Sequence, residues 1–590
     1  MKKFFTTVFA STLGFCLAIG VFILIAIVFI SASLASVSSQ PALKENSVLH
    51  ISLNGTITER NEENPINDLL GEEGNSLSIN QALDAIKKAE HMDEIKGIFL
   101  DGGALVADPA SLQEIRKALV SFKKSGKFIF SYADTYTQGA YYLSSVANKI
   151  ALNPSGSLDW HGLSSEPVFY KDFLAKFGIK MQVFKVGTFK SAVEPFTNTQ
   201  MSDANRQQVT SYMGSIWNNF VKDISASRNI PADSLQHYAD KFMALQSSKE
   251  LAKTHMIDTF VYIDGAKDML KKLAKVKEKE NISFISPSEL CQIKDPKAKK
   301  SDNKVAVYYA EGSIVENSAS GFSPTAQIIG SKVVKDMQKL EDDEDIKAVV
   351  IRINSGGGSA YASEQMWHAI KKLNQKKPVI VSMGGMAASG GYYMSSASQY
   401  IFAEPTTITG SIGIFGMFPD ASTLMTEKLG MKYDNVKTNK LADFGASGRP
   451  FNAAEGELLQ KYIEEGYALF LQRVAEGRKK STAQVDAIGQ GRVWTGEQAL
   501  KLGLVDKLGT LDEAIAYAAK KSGLGEDYES KTYPETEPWY IEFLNKKKSN
   551  YYESKLKETL GEYYKPFMLL NSIKKESPIQ ARIPFEPNIR

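Results

Sequence analysis

The sequence predicts an α/β protein built from two tandem copies of one domain, preceded by a membrane-spanning helix. Three observations carry this reading. Short β-branched runs alternate with helical patterns in two separate stretches, the order that gives parallel βαβ units with right-handed crossovers. GAYYLSS at 139–145 recurs as GGYYMSS at 390–396, a shift of 390 − 139 = 251, and the same shift carries Ile95-Lys96 onto Ile346-Lys347. Finally, every residue from Leu13 to Ile30 is apolar or glycine.

The apolar run comes first in the chain. At 1.5 Å per residue it is just long enough to cross the hydrocarbon core of a bilayer. Lys2 and Lys3 precede it, and no acidic residue occurs before Glu45. The positive-inside rule then holds the N-terminus in the cytoplasm and sends the rest across. An uncleaved anchor is expected because the apolar region of a signal peptide is shorter. Ala32, Ser33 and Ala35 are the small residues that a cleavage site would use. Residues 1–45 are therefore read as N-terminus, anchor and short linker. No later stretch is comparably apolar, so the chain is expected to be single-pass with its bulk on the extracytoplasmic side.

The first copy is placed at 46–285. Its expected strands include Gly97–Leu100 and Lys127–Tyr132, separated by a helix over Ala110–Phe122. Residues 286–304 are polar and Lys-rich with prolines, and read as a linker. The second copy, 305–530, repeats the pattern. A strand at Ala348–Ile353 precedes the glycines 356–358 and a helix from Ser359 to Leu373. A strand at Pro378–Met383, a helix starting near Ser389 and a strand at Tyr400–Ala403 follow. Helices after Asp203 and Ala453 are expected to pack outside. The tail, 531–590, is expected to be helical, with Lys546-Lys547-Lys548 on a solvated face.

Composition narrows the function. Apolar residues make up 43% of the 590 and charged residues 23%, which excludes a disordered or collagenous chain. Lys plus Arg is 70 and Asp plus Glu is 67, a net charge of +3. A balance this even gives no argument for a nucleic-acid partner. Two cysteines, Cys16 and Cys291, cannot supply a four-cysteine zinc site or a disulfide framework. No cofactor and no metal are expected.

The differences between the copies point to the chemistry. Ser355-Gly356-Gly357-Gly358 aligns with Ala104-Leu105-Val106-Ala107, and Ser389 aligns with Gln138. Only the second copy has a serine at a strand-to-helix turn, between Ala388 and Gly390-Gly391. Small neighbours let a substrate backbone approach. A helix start and a glycine loop at the carboxyl ends of parallel strands both offer N–H groups to a developing oxyanion. A serine there can equally be a helix N-cap, and a glycine loop can cradle phosphate. NSGGGSAYA lacks the Gly-Lys-[Ser/Thr] of a P-loop, and AASGG is not the Gly-x-Ser-x-Gly elbow. A nucleophilic serine needs a base. His368, mid-helix beside Trp367, is expected at the surface or the core edge. A desolvated lysine can serve instead, and spacing does not choose which.

Four segments supply that choice. NSGGGS at 354–359, MAASGGYYMS at 386–395, ITGSIGIFG at 408–416 and VGTFKSAVEPF at 186–196 together resemble the signal peptide peptidase A family in its long, duplicated, membrane-anchored form. The resemblance covers nearly the whole chain. It implies the ClpP/crotonase-like fold class and a Ser/Lys dyad. By this resemblance Ser389 is the nucleophile, Lys190 the general base, and Ser411 the residue that orients the lysine amine. The N–H groups of Gly390 and Gly358 would form the oxyanion hole. The family usually shows Asn-Ser-Pro-Gly-Gly; here Gly356 replaces the proline, which loosens the loop and leaves Gly357 open beside Gly358 as the donor.

The resemblance also accounts for the duplication. At a shift of 252, set by Lys185 and Lys437, Lys190 aligns with Ala442, so each copy keeps half of the dyad. It further implies a homotetramer in the bacterial inner membrane, with remnant signal peptides as substrates and the lipid membrane as a partner. A crotonase-like acyl-CoA enzyme is the first alternative, and the anchor argues against it because CoA is cytosolic. A non-catalytic membrane scaffold with a relic site is the second. The presence together of Ser389, Lys190 and Ser411 argues against that.

Overall fold

The β-branched runs of each copy form the centre of a parallel sheet. The computed structural model describes residues 43–60, 76–277, 279–295, 300–317, 326–535 and 578–583, with part of 4–21. In the first copy β1 (Ser47–Thr58), β2 (Ile95–Val106), β3 (Phe128–Tyr136) and β4 (Lys149–Leu158) lie side by side in that order, all parallel. The crossover from β2 to β3 is α1 (Pro109–Lys123), opened by Pro109 and capped by the Asp108 carboxylate, which accepts from the Ser111 N–H. The crossover from β3 to β4 is α2 (Gln138–Ser144). Then β5 (Lys180–Lys185) leaves the sheet, and the 26-residue α3 (Asp203–Arg228) follows.

The second copy repeats this order. It contains β6 (Lys304–Glu311), β7 (Ser313–Val315), β8 (Ile346–Ser355), β9 (Gly357–Ser359), α4 (Ala360–Lys376), β10 (Val379–Ala388) and α5 (Gly390–Ser395). It continues with β11 (Tyr400–Ala403), β12 (Ile408–Gly410), β13 (Phe415–Asp420), α6 (Ala453–Arg478), β14 (Val493–Thr495) and β15 (Glu529–Tyr533). β8 pairs in parallel with β6 on one side and β10 on the other. All ten residues of β10 are buried, as a sheet covered on both faces requires. Val349, Ile351 and Ile353 face one core cluster, and Val350 faces the other.

A third sheet joins the copies. Its order is Gln327–Ile329, β7, β9, β16 (Ile579–Arg582), β13 and β5. β13 of the second copy runs antiparallel to β5 of the first, from Phe415 opposite Lys185 to Asp420 opposite Lys180. The long helices also cross over. α3 packs on β14 and α6 packs on β5, each touching a strand of the other copy.

The buried contact between copies is unusually polar. Arg352 on β8 donates to Glu59 at 2.9 Å and to Glu114 on α1 at 2.7 Å, and all three side chains are buried. Glu114 also accepts from the Leu511 N–H at 2.6 Å. Gln113 accepts from the Thr406 hydroxyl at 2.7 Å.

Among the described residues no helix is long and apolar enough to cross a membrane. The expected anchor runs largely through residues outside those described, as does the expected helix of the tail. The described parts of that tail contribute the end of β15 and the whole of β16.

Candidate active site

Ser389 stands where β10 turns into α5. Its backbone adopts φ 55° and ψ −110°, a conformation that residues with a Cβ rarely take and that costs on the order of 1–3 kcal/mol. The turn is held by the Ser389 N–H donating to Gly410 O at 2.8 Å and the Tyr393 N–H donating to Ser389 O at 2.7 Å. The side chain does not cap α5. Its hydroxyl points instead at the amine of Lys190: Ser389 Oγ and Lys190 Nζ are 2.8 Å apart.

Lys190 belongs to the first copy, just before a short 3-10 turn at Ser191–Val193. The segment is clasped by a loop of the second copy. The Phe189 N–H donates to Gln490 O at 2.9 Å. Gly491, at φ +75°, lies so close that a Cβ on it would stand 2.7 Å from the Lys190 backbone N and Cα. Glycine is required there by both the angle and the approach. From α3, the Gln208 amide donates to Phe189 O at 3.1 Å and to Ser191 Oγ at 3.0 Å, while its oxygen accepts from the Val493 N–H of β14 at 3.2 Å. Gln208 thus ties the lysine segment to the strand beside Ser411.

Lys190 is 1% exposed, and burial pushes its amine well below the usual lysine range. Among the described residues no carboxylate opposes the shift, and desolvation is its cause. Nζ also donates to Ser411 Oγ at 3.1 Å and Ser411 O at 3.3 Å. Ser411 follows β12 at φ 50°, with its N–H donating to Arg492 O at 2.7 Å. A neutral amine in this position can take the serine proton, and the serine oxygen can then attack a carbonyl.

The glycine loop faces the same point. Gly357 has φ +99°, and a Cβ on it would stand 2.8 Å from Gly390 N. Ser355 Oγ fixes the loop by accepting from the Gly357 N–H at 3.1 Å and donating to Gly312 O at 2.7 Å. In the first copy the place of Ser389 is taken by Gln138, whose amide oxygen accepts from the His161 and Gly162 N–H groups and so braces a loop. His368 is exposed on α4.

The structure therefore brings Ser389, Lys190, Ser411, Gly390 and the 356–358 loop into one place. Gln208 and Gly491 were not singled out from the sequence. Each is an isolated residue with no motif spacing, and its role exists only through contact with the other copy.

Comparison with known proteins places this geometry in a family. The model of peptidase family S49 matches residues 121–277 and 371–525, together more than half of the chain. That of Clp protease matches residues 320–407. The chain is 37% identical to Protease 4 of Haemophilus influenzae over 510 residues, 84% of this chain and 82% of that one. It is 37% identical to Protease 4 of Salmonella typhi over 468 residues, covering 77% and 74%. It is 30% identical to the chloroplastic serine protease SPPA of Arabidopsis thaliana over 485 residues, covering 82% and 70%. The fold is ClpP-like, with parallel sheets and two S49 domains in tandem, and the protein is a serine peptidase. With its family model matched twice and its relatives aligned over most of their length, the chain belongs to peptidase family S49.

Proposed function

We propose that this protein is a membrane-anchored serine endopeptidase that cleaves apolar peptides, remnant signal peptides among them, with Ser389 and Lys190 as its dyad. The observation that carries the reading is the 2.8 Å approach of a buried, uncompensated lysine amine to a serine hydroxyl on a strained turn. Neutral Lys190 accepts the Ser389 proton as Oγ bonds to the peptide carbonyl carbon. Ser411 holds the amine in line. The N–H groups of Gly358 and Gly390 receive the oxyanion, each worth about 2.7–4 kcal/mol in comparable hydrolases. Lys190 then passes the proton to the leaving amine, and water releases the acyl group from Ser389.

The apolar run from Leu13 to Ile30 behind Lys2 and Lys3 supports an anchor in a bacterial inner membrane, with the bulk of the chain outside the cytoplasm. A homotetramer is the assembly proposed. The test uses the full chain in detergent and a fluorogenic apolar peptide. Ser389→Ala and Lys190→Ala should each abolish turnover while circular dichroism stays unchanged. Turnover persisting in Lys190→Ala would overturn the dyad, and turnover persisting in Ser389→Ala the whole mechanism.

A further inference from the structure

Arg492 follows Gly491, the glycine that lies against the Lys190 backbone, and leads into β14. Its guanidinium carbon is 4.7 Å from the centre of the Phe189 ring and 4.3 Å from that of Trp494. Phe189 immediately precedes Lys190 in the first copy, and Trp494 lies on β14 of the second. The cation is thus held between one aromatic ring from each copy. Aromatic faces attract a cation, and a planar guanidinium can stack on them. Arg492 Nε is buried and has no hydrogen-bond partner among the described residues. Burial lowers the group from the usual arginine range, and among the described residues no carboxylate counters it. Its charge is met by the two rings.

The main chain of the same residue holds Ser411. The Arg492 carbonyl accepts from the Ser411 N–H at 2.7 Å, and the Arg492 N–H donates to Gly489 O at 2.8 Å. Trp494 fixes the other side of the stack. Its indole N–H donates to Ile488 O at 2.9 Å. Its ring lies against Gly410, where a Cβ would stand 2.9 Å from Trp494 Cδ1. Gly410 is the residue before Ser411. Arg492 therefore grips the neighbour of the lysine with its side chain and the partner of the lysine with its backbone. Loosening that grip lets the lysine segment shift and water reach a buried amine.

We infer that Arg492 is a positioning residue for the general base: by clamping Phe189 onto β14 it keeps the Lys190 amine dry and in line with Ser389 and Ser411. This rests on the reading of Lys190 given above and adds to that site a residue that touches no reacting atom.

Chemical labelling tests the clamp without catalysis. Full-length native chain and Arg492→Met, in detergent, are methylated with formaldehyde and cyanoborohydride, and modification is followed by peptide mass spectrometry. Lys88, buried elsewhere in the first copy, is the internal reference. Lys190 should react several-fold faster in Arg492→Met, with Lys88 unchanged. An unchanged Lys190 rate, or an equal rise at both lysines, overturns the inference. Phe189→Leu removes the other face of the clamp and should give the same result, so it decides the matter if Arg492→Met does not fold. In the combined variant the two effects should not add, because each removes the same contact; additive rates overturn the inference. On an apolar peptide, Arg492→Met should lower kcat about 10–100-fold, the scale of a small misplacement of a catalytic group, with KM unchanged. The acid limb should move toward the ordinary lysine range as the amine hydrates, and Arg492→Lys, which keeps a cation between the rings, should recover part of the loss. Faster labelling of Lys190 with a native acid limb would support the clamp and count against Lys190 as the base.

Discussion

Lys190 Nζ lies 2.8 Å from Ser389 Oγ although 199 residues separate them and each comes from a different copy of the repeat. Neither copy holds the pair alone. The site exists only while the copies are docked, and its geometry inherits the rigidity of that docking.

Arg352 is central to the docking. Replacing it with Met leaves Glu59 and Glu114 buried without their cation. Removing one partner of a buried ion pair costs about 3–5 kcal/mol. Urea denaturation of Arg352→Met should show a loss of that size, with peptidase activity falling as the copies separate. A loss below about 1 kcal/mol would mean that the pair contributes nothing to docking.

Stability should fall as pH rises toward neutrality. Burial, reinforced by the negative charge of Glu59, pushes the Glu311 carboxyl up to about 7. A carboxyl with a folded-state pKa above its unfolded value near 4.5 binds its proton more tightly when folded. Its contribution is fully present below that unfolded value and is lost as pH rises through about 7. Glu404 shifts the same way, also to about 7, although Lys117 opposes its burial. Denaturation midpoints at pH 5 and pH 8 should differ in native protein, and Glu311→Gln should narrow the gap.

In the proposed mechanism only the neutral amine of Lys190 accepts the serine proton, so activity should rise with pH on an acid limb set by that group. Desolvation places that limb well below the ordinary lysine range. Lys190→Arg keeps a permanent charge and should be inactive at every pH tested. Ser411→Ala removes one hydrogen bond to the amine, worth about 0.5–1.5 kcal/mol, so kcat should drop about 2–10-fold and the acid limb should move. A profile of kcat/KM against pH that matches native protein would remove Ser411 from the mechanism.

Gly491→Ala should separate fold from catalysis. The new Cβ would strike the Lys190 backbone at 2.7 Å, on a glycine at φ +75°. A displacement of about 1 Å in a catalytic group can cost on the order of 100-fold in rate. The expected result is a large fall in kcat, with the secondary structure seen by circular dichroism retained. Activity near the native level would mean that the second-copy loop yields without moving the lysine.

Much of the fold is legible in the sequence. The runs at Ala348–Ile353 and Pro378–Met383 became β8 and β10, because a strand buried on both faces is written as continuous apolar sequence. Ser389 stood out because the other copy has Gln138 there. Lys190 was visible only through a family motif, since one lysine among many carries no periodic signal. The third sheet was not legible. Its strands β7, β9 and β16 are three or four residues long, too short for an alternation to register, and their partners lie in distant segments.

The sequence by itself determined the duplication, the α/β order of each copy and the residue types of the site, because these follow from local periodicity and from comparing one half with the other. Only the tertiary structure decided that a lysine of the first half meets a serine of the second in a buried place, and that β16 pairs with β9 and β13 beside them. Desolvation and strand pairing depend on what surrounds a residue in space, and neighbours in sequence do not specify those surroundings.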